Sequence, residues 1–257
     1  MSNVARPLPV ALIGLGGVGR SILAQLLSSP LSSRFTLILI ANSRQSLSLP
    51  LPASPLTPTN CLPILEKYGK PLDVPSIISV LSNHPDAPGI FIDSTASELI
   101  PGVYAQILRM GVHLVTPNKK AFSGAEAMYL GIQEASYPNS SALVYGESTV
   151  GAGLPILSTV RDLVGTGDEI EKIEGIFSGT LSYIFNQFST ISGGDVKFSD
   201  IVKDAKERGY TVRLLIYPLA RLVLMVCRSQ TRETTSPGPT SPGNSPSYPA
   251  SSLHPPD

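Results

Sequence analysis

The sequence has few of the residues that build disulfide or metal frameworks. It contains two cysteines, Cys61 and Cys227, in unrelated surroundings, and only three histidines. Two cysteines so placed form neither a disulfide framework nor the paired spacing of a zinc site. The formal net charge is zero, so no excess of basic residues indicates nucleic-acid binding. We expect a protein of a reducing compartment, the cytoplasm.

Long hydrophobic runs are also scarce. The candidate membrane segment, VRLLIYPLARLVLMVC, covers residues 212–227. It is shorter than the roughly 20 apolar residues that a bilayer requires, and Arg213, Pro218 and Arg221 interrupt it. The composition therefore predicts neither a membrane protein nor a nucleic-acid binder.

A glycine-rich turn lies between a predicted strand and a predicted helix near the N-terminus. The apolar run at 10–13 is followed by Gly14, Gly16 and Gly19 in G-x-G-x-x-G order, and then by apolar residues at helical spacing. In this context the glycines permit a tight turn, the approach of a pyrophosphate and close helix–strand packing. The phosphates would lie at the helix N-terminus. The predicted cofactor-binding residues here are Gly14, Leu15, Gly16, Gly17, Val18 and Gly19.

The second predicted strand, FTLILIA, ends at Asn42, Ser43 and Arg44. An NAD-selective site usually places a carboxylate at this point, against the ribose hydroxyls. No carboxylate stands here, and Arg44 could meet a 2′-phosphate, which favours NADP or the use of both cofactors. An arginine in a solvated loop is the alternative interpretation.

Strands and helices continue to alternate, which predicts an α/β fold with a Rossmann-like, doubly wound parallel sheet. Ligands of such sheets bind at the carboxyl ends of the strands. Polar residues follow two of the predicted strands, GIFIDST and VHLVTPNKKAF. We therefore place Ser94, Thr95, Asn118 and Lys119 at the site, although adjacent lysines can equally belong to a solvated loop.

A second glycine-rich stretch, TVGAGLP, follows Glu147. Its backbone carbonyls could converge with that carboxylate on a hard cation, which prefers oxygen ligands. From the residues alone, a tight turn before a helix that starts near Leu154 is the favoured alternative.

Taken together, these stretches resemble homoserine dehydrogenase, most closely the fungal form. The strings that carry the resemblance are VALIGLGGVG, TPNKKAF, TVGAGLPI, GDEIEKIEGIFSGTLSYIFN and VKFSDIVKDAKERGYT, and they span residues 8–211. The resemblance implies an NAD(P)-dependent enzyme that interconverts L-aspartate 4-semialdehyde and L-homoserine, a step towards threonine and methionine. It also implies a small-molecule substrate and a homodimer for the complete enzyme.

The resemblance assigns roles to individual residues. Thr95 would bind the dinucleotide, and Lys119 would reach both nicotinamide and substrate. Gly179 and Thr180 match the substrate-side loop of the family. A sodium site would consist of Glu147 with the carbonyls of Val150, Ala152 and Leu154. The implied domains are an NAD(P)-binding domain at 1–150 and the start of a catalytic domain at 151–211.

The chain departs from this family after Thr211. The family continues with a segment close to Glu-Pro-Asp-Pro-Arg-Asp-Asp-Leu and then Asp-Val-Ala-Arg-Lys, which supplies the substrate carboxylates and the proton-donor lysine. Here residues 229–246 are SQTRETTSPGPTSPGNSP. Codons for the family segment can be chosen so that, displaced by one base, they encode that same string, and residues 212–228 can be translated from an intron.

We therefore predict that 212–257 is a disordered, frame-shift-derived tail. The α+β substrate domain would then be incomplete, the chain inactive, and apolar surface exposed near Ile176 and Phe185.

Two other functions remain open. A non-catalytic NAD(P)-binding fragment is one. The other is an enzyme like aspartate-semialdehyde dehydrogenase, which would need a thiolate nucleophile, and Cys61 would be the candidate outside the tail.

The frame-shift hypothesis predicts a definite transcript. Sequencing of the spliced messenger RNA is expected to join the codon of Thr211 to an in-frame Glu-Pro-Asp-Pro segment. The protein carrying that continuation should oxidise homoserine with a nicotinamide cofactor. Equal activity from the 257-residue chain would contradict the hypothesis.

Overall fold

A twisted β-sheet organises the computed structural model, which describes residues 6–29, 31–50, 55–86, 88–189 and 196–208. In these ranges the strand order is β4-β3-β2-β1-β5-β6-β7. The strands are β1 (Leu8–Ile13), β2 (Phe35–Ala41), β3 (Gln45–Ser48), β4 (Lys70–Pro71), β5 (Ile90–Asp93), β6 (His113–Val115) and β7 (Val144–Tyr145). From β2 through β1 and β5 to β7 all pairs are parallel, which confirms the predicted doubly wound α/β class.

Helices connect the strands and continue beyond the sheet. They are α1 (Gly17–Leu27), α2 (Cys61–Tyr68), α3 (Val74–Ser82), α4 (Tyr104–Arg109), α5 (Lys120–Ser123), α6 (Glu126–Ala135), α7 (Ile156–Gly165), α8 (Gly179–Phe188) and α9 (Phe198–Glu207). Short 3₁₀ turns occupy Leu31–Ser33, Ile100–Val103 and Glu147–Thr149.

The alternation of side chains along β1 divides the core into two layers. Val10 and Leu12 face a cluster that includes apolar residues of α1 and α2. Ala11 and Ile13 face a cluster built with α3, α4 and α6. Because successive strand residues point to opposite faces, an apolar run without polar interruptions is what a sheet covered on both sides requires.

Local sequence signals mark the ends of two helices. Asp73 caps α3, its carboxylate accepting a hydrogen bond from the amide of Ser76 at 3.4 Å, and a proline follows in the first turn. After α4, Gly111 adopts a φ of +77°. Its amide donates to the carbonyl of Leu108 at 2.9 Å, as in the left-handed C-terminal motif that favours glycine.

One edge of the sheet differs from the fully parallel arrangement predicted. After β2 the chain turns back at once, and β3 and β4 pair antiparallel. The side chain of Asn42 accepts hydrogen bonds from the amides of Arg44 and Gln45, each at 2.8 Å. Such side-chain-to-backbone bonds stabilise turns. The Asn-Ser-Arg segment is therefore the tip of a hairpin, which corrects the prediction of parallel pairing at this edge.

The segment after β7 buries much less surface. Helix α7 has no buried residue, and every residue from 161 to 177 is exposed. Ile176 is 71% exposed and Phe185 is 39% exposed, so the predicted apolar exposure is confirmed. A small cluster of Ile184 with Ile201 and Ala205 joins α8 to α9.

In the part of the chain that the structure describes, no helix combines the length and apolarity needed to cross a bilayer. The predicted tail, 212–257, lies outside the described residues, and its origin and disorder stay predictions.

Candidate functional site

The glycine turn lies between the two central strands, at the point where the sheet reverses its winding. Gly14 leaves β1 with a φ of +96°, and an added Cβ would lie 2.8 Å from the backbone carbon of Ser94. The hydroxyl of Ser94 donates to the carbonyl oxygens of Ile13 at 3.0 Å and Gly14 at 2.7 Å. Because ligands bind at such switch points, the turn stands where a dinucleotide site is expected.

Three glycines of this turn have different surroundings. A Cβ on Gly19 would lie 1.8 Å from the carbonyl oxygen of Gly14, so a side chain there would force α1 away from β1. A Cβ on Gly16 or Gly17 would meet no protein atom within 4 Å. No side chain caps the start of α1, so its first amides have no side-chain acceptor. A helix N-terminus of that kind suits a phosphate group.

A groove of about 530 Å³ opens beside the turn. Its walls come from the end of β2, the start of α3 and the segment after β5, and its lining is mainly apolar. The lining residues are Ser43, Leu72, Val74, Thr95, Ala96, Ser97, Leu99, Ile100 and Val103. The exposed Arg44 follows Ser43 directly, and its carbonyl accepts from the amide of Leu72 at 2.8 Å. The predicted residue Thr95 therefore lines the groove, and Arg44 adjoins it as the neighbour of Ser43.

The two adjacent lysines have different partners. The ammonium of Lys120 forms an ion pair with Glu98 at 2.6 Å, and that pair lowers the pKa of the Glu98 carboxyl. Within the described ranges no carboxylate lies at ion-pair distance from Lys119, whose side chain is exposed. Of the two, Lys119 is thus the one whose charge is left for a ligand.

A buried polar cluster connects the ends of β5 and β6. Asp93, Thr116 and Asn118 are all at most 4% exposed, and Tyr104 from α4 is fully buried beside them. The Tyr104 hydroxyl donates to Asp93 Oδ2 at 2.5 Å. Burial and the neighbouring Asp93 charge raise the pKa of Tyr104, so its hydroxyl keeps its proton. The sequence prediction named Asn118 but missed the other three. The one available signal was an aspartate at the end of an otherwise apolar strand.

The loop predicted to bind sodium is held by a second set of contacts. Both oxygens of Glu147 accept hydrogen bonds from the start of α7, from the amides of Leu157 and Ser158 at 2.9 Å each. Ala152 has a φ of +54°, and the carbonyl of Leu154 accepts from the amide of Ile156 at 2.9 Å. The Glu147 carboxylate therefore caps a helix. In the described ranges no three His, Cys, Asp or Glu side chains are grouped as metal ligands.

The predicted substrate-side residues begin α8. Gly179 is its first residue and Thr180 its second, after a cap by Ser178, whose hydroxyl accepts from the amide of Leu181 at 3.2 Å. The carbonyl of Phe177 accepts from the amide of Gly151 at 3.1 Å. The structure thus brings the substrate-side segment next to the loop that carries Val150 and Ala152.

The thiol of Cys61 is unsuited to nucleophilic catalysis. It lies fully buried at the start of α2, in the apolar layer under α1. Burial raises the pKa of this thiol, which disfavours the reactive thiolate. The geometry removes the support for an enzyme like aspartate-semialdehyde dehydrogenase.

Two family models match the chain. Residues 14–145 match the family model of the homoserine dehydrogenase NAD-binding domain, and residues 155–213 match that of homoserine dehydrogenase. The chain belongs to the homoserine dehydrogenase family. Homoserine dehydrogenase of Saccharomyces cerevisiae is 44% identical over 209 residues, which cover 79% of this chain and 56% of the yeast protein. The chain thus spans about half the length of the curated fungal relatives it matches.

Solved structures show the same fold. A Candida auris protein of unknown function is 38% identical with a TM-score of 0.65, over 81% of this chain and 57% of its own. A hyperthermophilic archaeal homoserine dehydrogenase in complex with NADPH has a TM-score of 0.57 at 18% identity, over 81% of this chain and 63% of its own. The Rossmann-like sheet is therefore that of homoserine dehydrogenases.

The glycines of this homoserine dehydrogenase turn allow a test that separates folding from binding. Gly16→Ala should leave the melting temperature unchanged, because its Cβ meets no protein atom, yet weaken NADPH binding by about tenfold or more by filling phosphate space. Gly19→Ala should reduce both stability and binding.

Gly165→Ala, in the exposed helix α7 where a Cβ also meets no atom within 4 Å, is the matched control. Thermal unfolding and NADPH fluorescence titration give the two readouts. A Gly16→Ala protein that binds as tightly as the unmodified chain would place the phosphates elsewhere.

Proposed function

We propose that this chain carries the cofactor-binding half of a homoserine dehydrogenase, which interconverts L-aspartate 4-semialdehyde and L-homoserine. The carrying observation is the open space over Gly16 at the uncapped start of α1, on the same edge of the sheet as the groove and as Lys119, which has no ion-pair partner in the described ranges. A phosphate, an apolar ring system and a polarised group each find suitable surroundings along this one edge of the sheet.

Each part of the site would have a separate role in binding or catalysis. The amides at the start of α1 would hold the pyrophosphate, and the groove by Val74 and Ile100 would take the adenosine end. The nicotinamide cofactor, when bound, supplies or accepts a hydride. The ammonium of Lys119 would orient the substrate and stabilise negative charge on its oxygen. Gly179 and Thr180 would lie on the substrate side.

Turnover tests this function directly. The reduction of NADP in the presence of homoserine is expected from the complete enzyme and should fall strongly in Lys119→Ala, while Lys120→Ala should retain most activity. A second candidate is a non-catalytic NAD(P)-binding protein. Cofactor binding without turnover would favour that candidate.

Cofactor preference depends on the end of β2. No carboxylate stands at Asn42, Ser43 or Arg44 to accept from the ribose hydroxyls, and the exposed Arg44 adjoins the groove. An arginine can pair with a 2′-phosphate through two hydrogen bonds. We infer a preference for NADP over NAD.

The preference predicts an asymmetric effect of one substitution. Arg44→Ala should weaken NADPH binding by about tenfold and leave NADH binding nearly unchanged, because only NADPH carries the phosphate. Arg109→Ala, at the exposed end of α4, is the control. Fluorescence titration with both nucleotides measures the ratio. Equal losses for the two would remove the phosphate role of Arg44.

A sodium ion at the loop of Val150, Ala152 and Leu154 is a further part of the proposal. Its support is the resemblance to the family and the backbone carbonyls that this glycine-containing loop could turn towards one cation. The Glu147 carboxylate keeps acceptor capacity beyond the two amides of α7 that it caps.

The two tasks of Glu147 can be separated by the choice of salt. Glu147→Gln should lower the melting temperature in any salt, because one helix amide loses its acceptor, at a cost of about 1 kcal/mol. A bound sodium ion would make the unmodified chain melt at a higher temperature in sodium chloride than in choline chloride of equal ionic strength.

The substitution should abolish that difference between salts. Glu126→Gln, in the first turn of α6, is the control. Identical melting of the unmodified chain in both salts would leave the helix cap as the sole role of Glu147.

We also propose a cytoplasmic location, supported by the low cysteine content, and a homodimer, supported by the resemblance. Sedimentation analysis of the purified protein and fractionation of cells test these two statements.

A further inference from the structure

A carboxylate without a counter-ion lies under the centre of the proposed site. Asp93, at the end of β5, is fully buried. No cationic side chain of the described ranges lies within ion-pair distance of it. Burying an isolated charge is costly unless hydrogen bonds replace the lost water. The hydrogen bonds of Asp93 must therefore replace the water that its carboxylate has lost.

Each oxygen of Asp93 has a separate partner on the ligand side of the sheet. Oδ1 accepts from the amide of Thr95 at 2.8 Å. Oδ2 accepts from the side-chain amide of Asn118 at 3.1 Å and from the Tyr104 hydroxyl. The main-chain carbonyl of Asp93 accepts from the hydroxyl of Thr116 at 2.8 Å. One residue thus ties the groove segment after β5 to the loop after β6.

That loop fixes the backbone on both sides of Lys119. Before it, the amide of Asn118 donates to the hydroxyl of Thr116 at 2.9 Å. After it, the amide of Lys120 donates to Asn118 Oδ1 at 3.1 Å. The carbonyl of Lys119 itself accepts from the amide of Phe122 at 3.0 Å. Asn118 is therefore the shared member of the Lys119 turn and the Asp93 cluster.

A second connection closes the arrangement. Asn118 Nδ2 also donates to the carbonyl of Ser97 at 2.9 Å, and the amide of Ser97 donates to the hydroxyl of Thr95 at 3.1 Å. The Thr95 hydroxyl thus accepts within the protein and retains its proton for a ligand. The path from Thr95 to Lys119 consists of short polar links with little freedom to rearrange.

We propose that Asp93 is a positioning residue that holds Thr95 and Lys119 in one fixed relation at the cofactor site. This inference rests on the proposed function, because a fixed arrangement of Thr95 and Lys119 matters only if a cofactor binds at this site. In Asp93→Asn the new side-chain NH₂ group would face another hydrogen-bond donor, either the amide of Thr95 or the side-chain amide of Asn118. One of these hydrogen bonds would therefore be lost. The Tyr104 hydroxyl then loses its charged acceptor as well.

The test combines nucleotide binding with hydrogen exchange on the full chain. Asp93→Asn is expected to weaken NADPH binding by about tenfold or more. It should also speed amide exchange in the peptide covering Thr116–Lys120, with exchange in β1 unchanged. Tyr104→Phe removes one hydroxyl and should show the same local pattern with a smaller loss of affinity, which keeps the test decisive if Asp93→Asn fails to fold.

Matched controls are Asp162→Asn, on the exposed helix α7, and Tyr129→Phe, at an exposed position of α6. Both should bind NADPH and exchange as the unmodified chain does. Unchanged affinity and unchanged loop exchange in Asp93→Asn would overturn the proposal. Equal acceleration in β1 and in the loop would also overturn it, since that pattern denotes a merely structural role.

The two proposals fail in different ways. If the unmodified chain did not bind NADPH, the proposed function would be wrong. The exchange measurement needs no nucleotide and would still decide whether Asp93 holds the loop of Lys119.

Discussion

Helix α1 lies against strand β1 because neither Gly14 nor Gly19 carries a side chain. The Cα of Gly19 is so close to the carbonyl oxygen of Gly14 that a Cβ would lie 1.8 Å from it. This approach brings the start of the helix to the edge of the sheet, and Ser94 joins β5 to the same turn through two hydrogen bonds. The open space over Gly16 exists because of that contact. The groove and the neighbouring loops are arranged around it.

Charge at this edge is controlled mainly by dipoles and hydrogen bonds. The start of α1 has no acidic residue in its first turn, so its partial positive charge is not neutralised by the protein. Asp93 is balanced by three donors without a cation. The Lys120–Glu98 pair is exposed, and such pairs contribute little to stability. Lys119 and Arg44, which the proposed function assigns to an anionic ligand, are exposed cations at this edge.

The sequence alone predicts the central strands and the glycine turn well, and it predicts the antiparallel edge strands poorly. The apolar run of β1, the glycine spacing and the periodic face of α1 all indicate one structure, and they act over adjacent residues. Strand β3 depends on the Asn42 turn and on pairing with β2, which an isolated Gln-Ser-Leu-Ser string does not reveal. Helix α6 was missed even though its buried Ile132 and Ala135 follow the helical period.

Individual site residues show the same division. The glycines carry their role in their spacing, whereas the burial of Asp93 depends on Tyr104 and Asn118, which are distant in sequence. Residue type alone does not distinguish Lys119 from Lys120. The resemblance selected the first, and the ion pair with Glu98 accounts for the charge of the second. At Glu147 the residues alone favoured a plain turn, and the resemblance implied a sodium ligand, which stays a prediction. The hydrogen bonds show that the carboxylate also caps α7, a role that requires α7 to fold back onto the turn.

The ends of the sheet have a consequence for how copies of the protein meet. An exposed strand edge offers unpaired amides and carbonyls to any passing chain, and long flat edges promote aggregation. Here each outer strand is two residues long, Lys70–Pro71 on one side and Val144–Tyr145 on the other. Proline has no amide proton to donate, and lysine carries a charge that resists stacking of like edges. In the described sheet these short edge strands therefore offer few free amides and carbonyls to which a strand of another molecule could pair.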